Sequence, residues 1–300
     1  LSQYAIHDFK RVLNIDMTIL HTFGCSITQG YALPDVVQPL LDENGNELTE
    51  EQVLELGDSF DWDEVHLYQP SDYAWPQILA DKLNLPVINH ARRGACFNQI
   101  SRQCAVAAQD IYPDDIVIVM WTYLSRLSLQ WPARTSVPFC NIADPNSGFQ
   151  TVITGFNKLL GLDRHKNSNK TTDEKIQDYI EKSTKNTYLD PMGVYDRYYN
   201  NLVLQQMTHG FLAASGAKIY HLSVETQPVL SQLEEARKEL DVTLQHPYKI
   251  PHPDDWYSLD VDYDSAFVIL DPSIPPAEND MHPSVEHHSN FANHIYKRYV

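Results

Sequence analysis

The segment DDIVIVMW, from Asp114 to Trp121, decides the predicted fold. Its apolar residues follow one another without the alternation that marks a strand with one face in water. A continuous apolar run of this kind is typical of a strand covered on both faces, as in a parallel sheet flanked by helices. The segment therefore predicts a central parallel strand and an α/β protein.

Strand-like and helix-like segments alternate on either side of this run. Apolar, β-branched stretches predict strands, and apolar residues at helical spacing predict the helices between them. The predicted strands cover residues 17–23, 85–91, 114–121, 218–224 and 266–271, and the predicted helices cover residues 71–84, 94–111, 196–214, 230–240 and 284–299. This order predicts one domain over residues 1–300, a three-layer α/β/α fold with a flavodoxin-like, doubly wound parallel sheet.

Two segments interrupt the alternation and are predicted to be insertions. Residues 31–70 are acidic and contain a turn signal at Asn44-Gly45. Residues 130–195 contain many aromatic residues and the polar run RHKNSNKTTDEK, which is typical of a lid or a subdomain. The aromatic residues of the insertions are equally compatible with a carbohydrate cleft and with the core of a subdomain.

The charge balance excludes two classes of partner. Lys and Arg together number 22 and Asp and Glu together number 40, so the formal net charge is −18. An acidic surface repels phosphate groups, and we therefore expect neither nucleic acid nor an anionic membrane surface as a partner. No apolar run approaches the roughly 18 residues of a membrane-spanning helix.

The cysteines favour a reducing compartment. Cys25, Cys96, Cys104 and Cys140 form no CxxC pair. On one helix, Cys96 and Cys104 would lie about 12 Å apart along the axis, too far for a disulfide. Unpaired cysteines and an N-terminal stretch too mixed for a signal peptide favour a soluble, cytoplasmic protein.

Reactive residues follow the first predicted strand. In parallel α/β sheets, ligands bind beyond the carboxyl ends of the strands. The stretch FGCSITQG, residues 23–30, presents Cys25 and Ser26 side by side at such an end. A serine on a sharp strand-to-helix turn is exposed, and the following backbone N–H groups point at whatever binds to it. This turn is a candidate nucleophile site.

Two further strand ends carry matching chemistry. In NHARRGACFN, Gly94 allows a backbone N–H to approach a ligand closely. In NDMHPSVEHH, Asp280 and His282 are one residue apart and can face the same side of an extended loop. A carboxylate in that position orients the imidazole, and the imidazole deprotonates a serine.

Together these blocks resemble the SGNH (GDSL-type) serine hydrolases. That family has a Gly-x-Ser block after the first strand, a Gly block after the second, an Asn block after the third and an Asp-x-His block before the last helix. In this sequence the matching blocks are Gly24-Cys25-Ser26, Gly94 and Asp280-Met281-His282. Cys25 stands where the family's first block has Asp.

The resemblance implies a function and a set of roles. It implies hydrolysis of an ester by Ser26, with His282 as the base and Asp280 as the group that orients it. The backbone N–H groups of Ser26 and Gly94 would hold the oxyanion, and neither a cofactor nor a metal ion is expected. The implied substrate is a short acyl ester, such as an acetyl group on a carbohydrate or a similar molecule.

The third block departs from the family pattern. After the third strand the sequence is WTYLSR, with no Asn. The candidates for oxyanion or substrate binding in its place are Thr122, Asn98 and Arg126. Loss of one oxyanion donor costs about 100- to 1,000-fold in rate. A catalytically degenerate carbohydrate-binding or structural module is therefore the alternative function, and Arg126 has a simpler alternative as the partner of a surface carboxylate.

Three other patterns have competing interpretations. Cys25 is either a small buried residue behind the nucleophile or, if it faces His282, the nucleophile of a cysteine-dependent hydrolase. His287 and His288 suggest a metal cluster, but their spacing is poor for zinc and we predict no metal site. GDSF at residues 57–60 matches the literal GDS string, yet no strand leads into it, which indicates a coincidence.

Overall fold

The computed structural model describes residues 17–36, 70–92, 94–124, 126–130, 149–153, 191–244, 257–277 and 282–299. Its strands are β1 (Leu20–Phe23), β2 (Val87–Asn89), β3 (Ile116–Trp121), β4 (Arg126–Gln130), β5 (Phe149–Ile153), β6 (Lys218–Ser223) and β7 (Val261–Asp262). Its helices are α1 (Ser26–Gln29), α2 (Trp75–Leu83), α3 (Phe97–Ala107), α4 (Pro191–Ala213), α5 (Val229–Leu244), α6 (Ser265–Ile269) and α7 (Val285–Tyr299). Most of both predicted insertions, the GDSF string, Cys140 and Asp280 lie outside the described residues.

The central sheet is parallel and has the predicted doubly wound topology. Five strands lie in the order β2-β1-β3-β6-β7, and every neighbouring pair is parallel. Leu20 of β1 is in register with Val87 on one side and Ile116 on the other. This strand order is the flavodoxin-like one, in which the switch point lies between β1 and β3. The predicted α/β fold is confirmed.

The helices form two groups. α7 packs on α2 and α6, and α4 packs on α3 and α5. Because parallel crossovers are right-handed, the change of direction after β2 sends the connecting helices to opposite faces of the sheet. None of the described helices is long and apolar enough to cross a lipid bilayer.

β3 is the centre of the core, as its apolar run predicts. Residues 117–121 are fully buried. The Trp121 ring stacks on Phe97 of α3 with centroids 5.0 Å apart, and its indole N–H donates to the Nδ1 atom of His221 on β6. Because the indole N–H has a hydrogen-bond partner inside the core, burial of the Trp121 ring leaves no unsatisfied polar group on it.

The predicted last strand, residues 266–271, is wrong: this segment contains α6. The side chain of Asp262 accepts hydrogen bonds from the Ser265 backbone N–H at 3.1 Å and from its hydroxyl at 2.6 Å. The carboxylate thus satisfies the backbone N–H of the first residue of α6, which has no partner within the helix. Ala266 and Ile269, three residues apart, are buried, whereas Phe267 is exposed. The final strand of the sheet is instead the short β7.

An antiparallel pair follows β3 that the sequence did not predict. β4 begins at Arg126 and pairs with β5, with Arg126 opposite Ile153. The pair lies partly inside the segment predicted as the second insertion. β4 starts shortly after the carboxyl end of β3, beside the candidate site.

α4 begins at Pro191, five residues before the predicted helix start at 196.

Candidate active site

The turn after β1 places Ser26 at the first residue of α1. A Cβ atom on Gly24 would lie 2.1 Å from the Thr28 Oγ1 atom and 3.2 Å from the carbonyl oxygen of Met120, so only glycine fits this turn without a shift. The Thr28 hydroxyl donates to the Met120 sulfur, and the backbone carbonyl of Thr28 accepts from the Asn89 side chain at 2.9 Å. These contacts fix α1 against β2 and β3 and hold Ser26, which is 2% exposed.

His282 reaches this serine from the far end of the chain. Its Nε2 atom lies 3.0 Å from the Oγ atom of Ser26, within hydrogen-bond distance. The carbonyl of His282 accepts from the Ala277 N–H at 2.8 Å. The Tyr31 ring meets the imidazole edge-on, with centroids 5.0 Å apart and an interplanar angle of 71°. The predicted pair of Ser26 and His282 is therefore brought together.

The histidines after His282 make hydrogen bonds that hold the start of α7. His287 accepts from the Ser284 N–H at 3.1 Å, and its other ring nitrogen lies 3.0 Å from the carbonyl oxygen of Asp271. His288 accepts from the Trp75 N–H at 3.1 Å. Burial, helped by the charges of His287 and His282, lowers the pKa of His288 to about 3, so its imidazole is neutral.

The loop after β2 lies against the nucleophile turn. The N–H of Arg92 donates to the carbonyl of Gly24 at 3.2 Å, and the N–H of Ala95 donates back to Arg92 at 3.1 Å. Gly94 has a φ of 70°, a left-handed conformation that favours glycine. Among the described residues, nothing accepts the backbone N–H of Ser26 or of Gly94. Neither donor is therefore taken by a backbone carbonyl of the described residues.

Cys25 points away from solvent, into a polar cluster. Its side chain is fully buried. Burial raises the pKa of the Cys25 thiol, but the positive charge of Arg126 and polar contacts from Thr122 and the Ile27 amide outweigh it, so the pKa is lowered. His282 faces Ser26, not Cys25, whereas the cysteine-hydrolase alternative requires an imidazole against the thiol.

Two of the residues considered for the third block, Thr122 and Arg126, belong to the cluster around Cys25, and the third, Asn98, does not. Thr122 is fully buried at the end of β3. Arg126 is only 8% exposed, so the interpretation of Arg126 as a surface ion-pairing residue is wrong. Asn98 is exposed in the first turn of α3. Asp280 lies outside the described residues, and its role stays a prediction.

Sequence reasoning missed two side chains that complete this edge of the sheet. Tyr31 follows the glycine that ends α1, and no pattern in the sequence indicates its contact with His282. Glu225 follows β6, a strand end where ligand sites are expected, but no motif singles it out. Within the described ranges, no three His, Cys, Asp or Glu side chains converge in a way that could hold a metal ion.

Solved structures that match this chain include esterases and lipolytic proteins. An acetyl xylan esterase from Butyrivibrio proteoclasticus is 10% identical, with a TM-score of 0.37, over 94% of this chain and 63% of its own. A member of the lipolytic G-D-S-L family from Veillonella parvula is 12% identical, with a TM-score of 0.37, over 94% of this chain and 98% of its own. A carbohydrate esterase is 12% identical, with a TM-score of 0.36, over 93% of this chain and 64% of its own.

These likenesses are distant. No protein-family model and no curated protein sequence matches the chain. The chain spans 63% of the length of the Butyrivibrio esterase. At this level of identity and superposition the matches carry no argument about activity or substrate, and the case for a function rests on the geometry of the chain itself.

Proposed function

We propose that the chain is a serine hydrolase that cleaves a carboxylic ester. The observation that carries this proposal is the 3.0 Å distance between the Ser26 hydroxyl and the His282 Nε2 atom at the carboxyl edge of a parallel sheet. A hydroxyl paired with an imidazole, next to free backbone N–H groups, is the arrangement that acyl transfer needs. The backbone N–H of Gly94 is the second proposed N–H donor of that arrangement.

The proposed reaction runs in two halves. The Ser26 oxygen attacks the acyl carbon while His282 takes the hydroxyl proton, and the negative oxygen of the tetrahedral intermediate accepts from the N–H groups of Ser26 and Gly94. His282 then gives the proton to the leaving alcohol, which departs and leaves an acyl group on Ser26. A water molecule, deprotonated by His282, releases the acid and restores the serine. Asp280 is proposed to orient His282.

The size of the acyl group is limited by the closed surroundings of the nucleophile. Ser26 is 2% exposed, and Tyr31 covers His282 from one side. A small acyl group, of which acetyl is the simplest, is therefore the proposed substrate portion. The alcohol portion is proposed to be a carbohydrate or a similar polyol, and a panel that compares acetylated sugars with aryl acetates of equal acyl length tests it.

A fluorophosphonate probe tests the nucleophile. The reagent phosphonylates an activated serine oxygen and releases fluoride, so labelling reports on Ser26 without knowledge of the substrate. We expect the wild-type protein and Cys25→Ala to be labelled and to hydrolyse p-nitrophenyl acetate, and Ser26→Ala to do neither. Circular dichroism and thermal melting of each variant show whether the fold is retained.

The same experiment separates the alternatives. Labelling that persists in Ser26→Ala and disappears in Cys25→Ala would favour the cysteine-dependent hydrolase. A folded wild-type protein that is neither labelled nor active on short esters would overturn the proposal in favour of a binding or structural module.

A further inference from the structure

Arg126 is a buried cation at the carboxyl edge of the sheet. It begins β4, and one of its guanidinium nitrogens donates to the carbonyl of Ala95 at 3.2 Å. The centre of its guanidinium lies 5.3 Å from the centroid of the Tyr123 ring. A buried guanidinium is costly unless neighbouring groups satisfy and neutralise it, so its presence here requires an explanation.

The guanidinium of Arg126 contacts Ala95, which follows β2, and Tyr123, which follows β3. Its charge also acts on Cys25, which follows β1, and on Glu225, which follows β6. Burial raises the pKa of Glu225, and the Leu124 N–H, which donates to it at 3.0 Å, and the charge of Arg126 oppose that rise. The cation thus lies at the point where the loops of the candidate site converge.

We propose that Arg126 is the positioning residue of the oxyanion site: its guanidinium holds the loop of Gly94 and Ala95 against the turn of Cys25 and Ser26. This inference rests on the proposed function. Two backbone N–H groups can stabilise one oxyanion only if their separation is fixed, and they belong to separate loops. The hydrogen bond to the Ala95 carbonyl fixes the residue after Gly94. The same loop is joined to the nucleophile turn by the Arg92 N–H, which donates to the carbonyl of Gly24, and the charge of Arg126 acts on Cys25 in that turn.

Arginine suits this positioning role better than lysine. A guanidinium is planar and offers five donors in a rigid fork, so one side chain can bind two loops and stack on a ring at once. Lysine carries the same charge without that fork. Arg126 would act from behind the two loops, and the backbone donors in front of it would touch the substrate.

Steady-state kinetics of Arg126→Met and Arg126→Lys on p-nitrophenyl acetate test the proposal. With the donors misplaced, we expect kcat of Arg126→Met to fall about 100-fold with KM within about threefold of wild type. The kcat of Arg126→Lys should exceed that of Arg126→Met by less than a tenth of the difference between Arg126→Met and wild type. A third variant, Arg126→Ala, removes the guanidinium and the side chain that carries it. Added guanidinium chloride, at concentrations well below those that unfold the protein, should raise the kcat of this variant several-fold.

A matched control uses another arginine. Arg237 on α5 pairs with Glu234 at 3.2 Å, on the same helix and away from the candidate site. Arg237→Met should keep wild-type kcat and gain nothing from guanidinium. If Arg126→Met proves unfolded by circular dichroism, the folded Arg126→Lys variant carries the test on its own kcat and KM.

The outcomes separate this inference from the proposed function. Wild-type kcat in folded Arg126→Met or Arg126→Lys would overturn the positioning role, even where Ser26→Ala abolishes labelling. A loss that appears in KM alone would overturn it as well, because it would place Arg126 in ground-state binding. Failure of wild-type labelling would instead reject the serine hydrolase itself, before any Arg126 variant is measured.

Discussion

The Nε2 atom of His282 lies 3.0 Å from the Oγ atom of Ser26, although 256 residues separate them in the chain. The parallel sheet makes this possible, because β1 delivers Ser26 at its carboxyl end and α7 begins directly after His282. His287 accepts from the Ser284 N–H, and its other ring nitrogen lies within hydrogen-bond distance of the Asp271 carbonyl oxygen. These contacts hold the segment that carries His282. The pair is thus positioned by the framework of the fold.

Substitution of His282 by Ala should abolish turnover while the fold persists. Without a base, the serine hydroxyl keeps its proton, and we expect kcat on p-nitrophenyl acetate to fall at least about 1,000-fold. Fluorophosphonate labelling should slow in parallel. His294→Ala, within α7 and not among the residues of the candidate site, is the control and should retain activity. Equal activity in both variants would contradict the role of His282 as base.

The glycine at the nucleophile turn makes a second, structural prediction. A Cβ atom on Gly24 meets Thr28 and the Met120 carbonyl, whereas nothing lies within 4 Å of a Cβ atom on Gly210 in α4. Gly24→Ala should therefore cost about 1–3 kcal/mol of unfolding free energy and most of the activity. Gly210→Ala should stabilise the helix by about 0.5–1 kcal/mol. Urea denaturation measures both, and a neutral Gly24→Ala would show that the turn can relax.

The framework of the sheet was predictable because its signals are local. Residues 114–121 are apolar without interruption, and the structure buries that strand on both faces. The structure of the segment 266–271 was not predictable, since its apolar residues fit a strand and a helix equally well. The helix is favoured by the side chain of Asp262, which accepts hydrogen bonds from Ser265 at the start of α6. Short apolar runs are ambiguous for this reason.

The site was predictable in part. The Gly-x-Ser turn and the terminal histidine are short motifs tied to strand ends, and the structure brings Ser26 and His282 together. The burial of Arg126 was not visible, because the partners of this side chain come from loops far apart in sequence. A charged residue in a polar segment is usually exposed, and only the folded chain shows the exception.

The carboxylate that starts α6 gives a third prediction. Asp262 accepts from Ser265 and from the Tyr299 hydroxyl, and it lies 3.3 Å from the guanidinium of Arg298. Asp262→Ala should lower the unfolding free energy by about 1–3 kcal/mol, since it leaves those donors without an acceptor. Asp264→Ala, two residues away and exposed, should change it by less than about 0.5 kcal/mol. Similar effects in the two variants would argue against the capping role.

Thiol chemistry provides a fourth prediction. Cys25, Cys96 and Cys104 are buried and free of disulfides. A bulky thiol reagent applied to the native protein should therefore leave them unmodified and leave the proposed hydrolysis of p-nitrophenyl acetate unchanged, and all three should react after unfolding in urea. Mass spectrometry of peptides identifies the modified sites. Loss of p-nitrophenyl acetate hydrolysis in the native protein together with modification of Cys25 would contradict both the burial of Cys25 and the proposed role of Ser26.

Two buried histidines predict how stability changes with pH. Burial lowers the pKa of His221 and of His288 to about 3, with smaller contributions from the charges of neighbouring histidines. In the unfolded chain each imidazole has its ordinary pKa of about 6.5. Between these values the unfolded state binds protons that the native state does not, so the unfolding free energy is highest above the unfolded pKa and falls as pH decreases below it.

The expected loss is on the order of 2 kcal/mol per histidine between about pH 6.5 and about pH 5. Urea denaturation at a series of pH values across that window measures it, at fixed ionic strength. His288→Gln should be less stable than wild type at neutral pH, since the Trp75 N–H loses its imidazole acceptor, but its stability should fall less steeply on acidification. An unchanged slope in His288→Gln would mean that His288 is protonated in the native protein at mildly acidic pH.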